Sequence, residues 1–107
     1  MSEDKLASFL KTGSDWARMK TTVLGVFILK LPAYRNNPAR LAVELNPVDD
    51  SGMPTKKRGL VIRSSEELEE YNKLFQYDRL SSVLKSIDKV NPPVKKGMKP
   101  GEEVLEI

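Results

Sequence analysis

The sequence predicts an α+β fold, a strongly twisted antiparallel β-meander followed by a C-terminal helix. Two observations carry this. Short β-branched and alternating apolar segments recur between Pro-, Gly- and Asp-rich loops over residues 21–63. From Ser64 onward the spacing turns helical and the composition acidic. At 107 residues, with 39% hydrophobic and 31% charged residues, the chain suits one small domain with one core.

The elements follow in order. Residues 1–15 mix Ser, Gly, Lys and acids and read as a flexible segment, with at most one helical turn across Lys5 to Lys11. The run "TTVLGVFILKL", Thr21 to Leu31, is β-branched and aliphatic and reads as a strand, with Gly25 marking a bulge or bend. Pro32 and "RNNPAR" end it in a turn. In "RLAVELN", Leu41, Val43 and Leu45 face one way and Arg40, Ala42, Glu44 and Asn46 the other, the pattern of a half-buried strand. The loop "NPVDDSGMP" leads to "KKRGLVIR", a strand with Leu60 and Ile62 inward. Short loops between these strands favour a meander.

Ser64 with Glu67 three residues later forms a capping box, and Glu66, Glu67, Glu69 and Glu70 complement the positive end of the helix dipole. Leu68, Tyr71, Leu74 and Phe75 share one face, and Leu80, Val83, Leu84 and Ile87 share another. Either the helix breaks near "QYDR", with Asp78 capping a second one, or one long helix buries two faces. Both stripes then join one core, or the second meets another subunit. "NPPVKKGMKPG" cannot continue a helix. Residues 16–91 therefore read as the sheet-plus-helix domain and 92–107 as a tail, in which "EEVLEI" could add a small strand or remain unstructured.

The chain has no histidine and no cysteine. The commonest general base, the commonest metal ligand and any thiolate are absent together. No glycine-rich phosphate loop occurs. Asp49 and Asp50 sit in "DDSGMP", where aspartates serve turns. No catalytic residue, cofactor or metal is expected, and the chain does not read as an enzyme. There is no run of eighteen apolar residues and no apolar signal-peptide core, so the expected setting is cytoplasmic (nucleoid-associated) or nuclear, neither membrane nor secreted.

The net charge of +3 conceals an uneven distribution. Over residues 18–63, Arg18, Lys20, Lys30, Arg35, Arg40, Lys56, Lys57, Arg58 and Arg63 stand against Glu44, Asp49 and Asp50, a net of +6. Residues 64–91 carry six anions and four cations. The basic excess thus belongs to the sheet. Cations that track phosphates, with aromatics on which bases stack, are the ingredients of single-strand binding. Lys20, Lys30, Arg35, Arg40, Lys56, Lys57 and Arg58 are the candidate phosphate ligands, and Tyr34 is the candidate stacking residue. Phe27 alternates with Leu29 and Leu31 and reads as core. Cations also blunt sheet edges, and a basic sheet equally suits a protein-interaction module that docks an acidic partner.

The segment "RLAVELNPVDDSGMPTKKRGLVIRSSEELEEYNKL" resembles the core of the positive-cofactor-four family of transcriptional coactivators, small single-stranded-DNA-binding proteins. The matching parts are Leu41-Val43-Leu45, Asp49-x-x-Gly52, Lys57-Arg58-Gly59, Leu60-x-Ile62 and Ser64 onward. With the first strand included, the resemblance runs from Val26 to about Ile87. The loop from Gly52 to Gly59 is one residue shorter than the family's, and the approach to the helix one longer. Asn46-Pro47-Val48 replaces an aromatic pair. The resemblance implies a four-stranded curved sheet backed by a helix, a homodimer, and DNA lying across the strands. Single-stranded DNA or RNA is therefore the expected ligand, with transcription or replication proteins as further partners, and Leu80, Val83, Leu84 and Ile87 the expected dimer interface.

Overall fold

The computed structural model describes residues 3–93. The fold is α+β, with a four-stranded antiparallel sheet in the order β1-β2-β3-β4. The elements are α1 (Glu3–Thr12), β1 (Arg18–Lys20), β2 (Val26–Leu31), β3 (Arg40–Leu45), β4 (Leu60–Ile62), α2 (Ser65–Phe75) and α3 (Asp78–Val90). The chain divides into two compact units, and the boundary falls between Ser64 and Ser65, inside the segment 16–91 expected to form one domain.

In the sheet unit, the strand expected from Thr21 begins only at Val26. Thr21 closes a turn instead: its hydroxyl donates to the carbonyls of Val23 and Val26, at 3.1 and 2.8 Å, and accepts the Val23 N–H. Gly25 completes the turn at a positive φ of 89°, which glycine adopts without a Cβ penalty. The hairpin so formed brings Arg18 opposite Leu29 and Lys20 opposite Phe27. Arg40 stands opposite Leu31, and Glu44 opposite both Phe27 and Val61. Directly opposed residues share a sheet face. One face therefore carries Arg18, Lys20, Phe27, Leu29, Leu31, Arg40, Ala42, Glu44 and Val61. Leu29, Leu31 and Ala42 form the core cluster there, with Val61 packed against them. Phe27 is buried, as its alternation indicates.

The depth of β3 reverses the pattern its apolar residues suggest. Ala42, Glu44 and Asn46 are buried, whereas Leu41, Val43 and Leu45 are only half-buried. A buried carboxylate costs several kcal/mol unless it is paired and hydrogen-bonded, so the side that reads as solvated must contain a built polar network.

At the N-terminus, α1 spans ten residues, more than the single turn expected. The Thr12 hydroxyl donates to the Ser8 carbonyl and the Gly13 N–H to that of Phe9, finishing the helix. In the helical unit, Ser64 immediately precedes α2, as the capping box indicates. The helix breaks at Gln76 and Tyr77. Asp78 is the first residue of α3 and not its cap, a position held by Tyr77 without a side-chain hydrogen bond. The carboxylate still lies in the first turn, where it complements the dipole. No residue of α2 or α3 is buried. Asn91 leaves the helix in an extended conformation. Residues 94–107, with most of the expected tail and the possible strand at 102–107, lie outside the described residues. Among the described residues, no helix is long and apolar enough to cross a membrane.

Candidate nucleic-acid interface

The centre of the sheet unit is the carboxylate of Glu44, with no exposed surface. Arg18 grips it with two donors, Nε to Oε1 at 2.6 Å and Nη2 to Oε2 at 3.0 Å. This fork matches the carboxylate geometry. Oε2 also accepts the Gly59 N–H at 2.7 Å and Asn46 Nδ2 at 3.2 Å. Burial pushes the Glu44 carboxyl up, but the bonds from Arg18, Gly59 and Asn46, with the Arg18 charge, outweigh it and hold the group below the usual carboxylate range. The hydrogen bond to Glu44 correspondingly raises Arg18.

The same network holds the basic loop. Asn46 donates from Nδ2 to the Lys56 carbonyl at 2.9 Å and accepts the Lys56 N–H on Oδ1 at 3.1 Å. Arg18 Nη2 donates to the Lys57 carbonyl at 2.7 Å. With the Gly59 N–H on Glu44, four hydrogen bonds fasten the backbone from Lys56 to Gly59. Gly59 is required for this approach, because a Cβ there would overlap the Leu45 carbonyl oxygen. The side chains of Lys56, Lys57 and Arg58 remain exposed.

Further along the loop, the Asp49 carboxylate accepts the Ser51 N–H, the Ser51 hydroxyl and the Met53 N–H. Its contacts are turn chemistry, as "DDSGMP" indicates.

The remaining candidates separate. Lys20 and Arg40 are exposed on the Glu44 face of the sheet. Lys30 is not presented to a ligand: it is 8% exposed, and its Nζ donates to the Gly13 carbonyl at 2.9 Å. That carbonyl directly follows α1, where a cation complements the negative end of the helix dipole. Tyr34 is 64% exposed, and the Arg35 guanidinium lies 5.1 Å from its ring centroid. Tyr34 and Asn37 exchange both backbone hydrogen bonds around Arg35, which takes a positive φ of 55°.

Sequence reasoning missed Trp16. This residue is 49% exposed, with the Arg58 guanidinium 4.7 Å from its ring centroid. Its backbone N–H donates to the Lys30 carbonyl at 2.7 Å, continuing the β1–β2 pairing past Arg18. The available signal was the chain's single tryptophan two residues from a cation. Glu44 was missed as well; its one signal was being the lone carboxylate in a strand of the basic half.

Comparison of the chain with family models, curated proteins and solved structures finds no match to any of them.

Proposed function

We propose that the sheet unit binds single-stranded nucleic acid without sequence specificity, in transcription or genome maintenance, and that the chain acts as a homodimer. The observation that carries the reading is the Lys56–Gly59 loop. Its backbone is fastened by the buried Glu44 and Asn46 and by the part-exposed Arg18, while its three cationic side chains are left in solvent. A loop held in this way loses little backbone entropy when it meets phosphates, so its charge is preorganised. Lys20 and Arg40 extend the cationic surface, and Trp16 and Tyr34 offer the exposed rings that sequence-tolerant stacking uses. Lys30 has no part in it.

The dimer rests on α3. Leu80, Val83, Leu84 and Ile87 are each 40–51% exposed on one helix face. A second copy covering this stripe would bury an apolar patch that single chains rarely leave in water.

Fluorescence anisotropy with labelled single-stranded DNA, single-stranded RNA and duplex tests the binding. Saturable binding to single strands, weaker binding to duplex, and no preference among sequences are expected. Absence of binding to any of the three, with a labelled acidic peptide bound instead, would transfer the surface to a protein partner.

A further inference from the structure

A groove of about 400 Å³ opens on the sheet unit, lined by Trp16, Pro32, Tyr34, Pro38, Arg40 and Arg63 among others. That volume is at the small end of the roughly 300–1,000 Å³ typical of small-ligand clefts. Two aromatic rings and two prolines give it flat apolar walls. No carboxylate lines it, while two guanidiniums do. Such a lining favours a ligand that is planar and apolar at one end and anionic at the other.

The backbone supplies an independent observation. Among the described residues, only two non-glycine residues have positive φ, Trp16 at 68° and Arg35 at 55°. One is a groove aromatic and the other is the neighbour of the second. Such conformations are strained for residues that carry a Cβ, and they cluster where a ligand is clamped. Each ring also carries an arginine, Arg58 on Trp16 and Arg35 on Tyr34.

We propose that this groove is a subsite for one unstacked nucleotide of a single strand, its base against Trp16 and Tyr34 and its phosphate on Arg40. The subsite rests on the nucleic-acid reading above and adds where a base leaves the strand's own stack. Duplex is disfavoured because a paired base has both faces covered by its neighbours. The lining offers mainly π-faces, with the Asn37 amide, the Tyr34 hydroxyl and the Trp16 indole N–H its uncharged polar groups. Any base is therefore accepted.

The test uses the single tryptophan, whose emission reports Trp16 alone. Unlabelled single-stranded homopolymers are titrated while anisotropy of a labelled strand is followed in parallel. Quenching of Trp16 with the same midpoint as the anisotropy change is expected. Trp16→Leu and Tyr34→Ala should each weaken single-strand binding by about 5- to 150-fold, the cost of removing one stacking partner. Neither should change the salt slope, whereas Arg40→Ala should flatten it by about 0.7. Trp16→Phe keeps a ring and should stay near wild type. If Trp16→Leu does not fold, the exposed Tyr34 carries the test. Binding by anisotropy with Trp16 emission unchanged, and Tyr34→Ala at wild-type affinity, would overturn the subsite and leave the general reading standing. No anisotropy change with any strand would overturn both.

Discussion

Replacing Glu44 with glutamine probes the network that holds the basic loop. The carboxylate accepts two bonds from Arg18, one from Asn46 and one from the Gly59 N–H. An amide keeps one acceptor oxygen. If that oxygen takes the place of Oε2, the amide nitrogen faces Arg18 Nε, and one charge-assisted bond becomes two opposed donors. Breaking a hydrogen bond to a charged group costs about 1.5–3 kcal/mol. The guanidinium is also left without its counter-charge, and because its side chain is 29% exposed, solvent recovers part of that term. We expect a total of about 2–3 kcal/mol, which for a chain of this size lowers Tm by roughly 10–20 °C. The pH dependence sharpens the test. The folded Glu44 pKa lies below its unfolded value of about 4.3. Its contribution is therefore fully present above the unfolded value and is lost as pH falls through the folded one. Thermal unfolding followed by circular dichroism from pH 7 to pH 3 should show this acid limb in the wild type and a weaker one in Glu44→Gln. Single-strand affinity should also fall at pH 7, because the loop is released. A variant with wild-type Tm, acid limb and affinity would refute the argument.

Gly59→Ala should destabilise the fold by at least about 1–3 kcal/mol, as overpacking against the Leu45 carbonyl forces β3 and the loop apart; chemical denaturation measures it. Leu84→Glu should leave a monomer if the α3 stripe is the dimer interface, and light scattering of the wild type at micromolar concentration should give twice 12.1 kDa; a wild-type mass of one chain would remove the dimer. Lys30→Met should lower stability by about 1 kcal/mol, the usual scale of a single hydrogen bond with some helix-end charge, and leave nucleic-acid affinity unchanged; anisotropy checks the second half.

Much of the fold was legible because local chemistry agrees with the tertiary result. Pro32, the "DDSGMP" loop and the Ser64 acids each fix a boundary through backbone geometry, and the meander follows from short connections. Errors arose where a side chain's partner is distant in sequence. Glu44 reads as solvent-facing because alternation counts it with Arg40, and only its pairing with Arg18, 26 residues away, makes burial tolerable. Lys30 reads as a phosphate ligand because nothing in sequence reveals Gly13 beside it. Thr21 and Gly25 turn the chain where β-propensity alone would extend a strand. Of the candidate site, Lys20, Tyr34, Arg40 and the Lys56–Arg58 cluster were legible as exposed cations and an exposed ring. Trp16 was overlooked: a lone tryptophan two residues from Arg18 stands in the sequence, but the sheet edge it joins does not.

The central claim is that the tethered cations Lys56, Lys57 and Arg58 meet phosphates. Affinity for a single-stranded oligonucleotide, measured against salt for the wild type and for the triple alanine variant, tests it most directly. Removing one cation that meets a phosphate should flatten the slope of log affinity against log salt by about 0.7, so the triple variant's slope should fall by up to roughly two units. Its stability should fall by no more than about 1 kcal/mol, the scale of an exposed Arg58–Trp16 pair. Phosphate contacts carry no base information, so the weakening should be alike for every sequence. A folded variant with wild-type affinity and an unchanged salt slope would contradict the account.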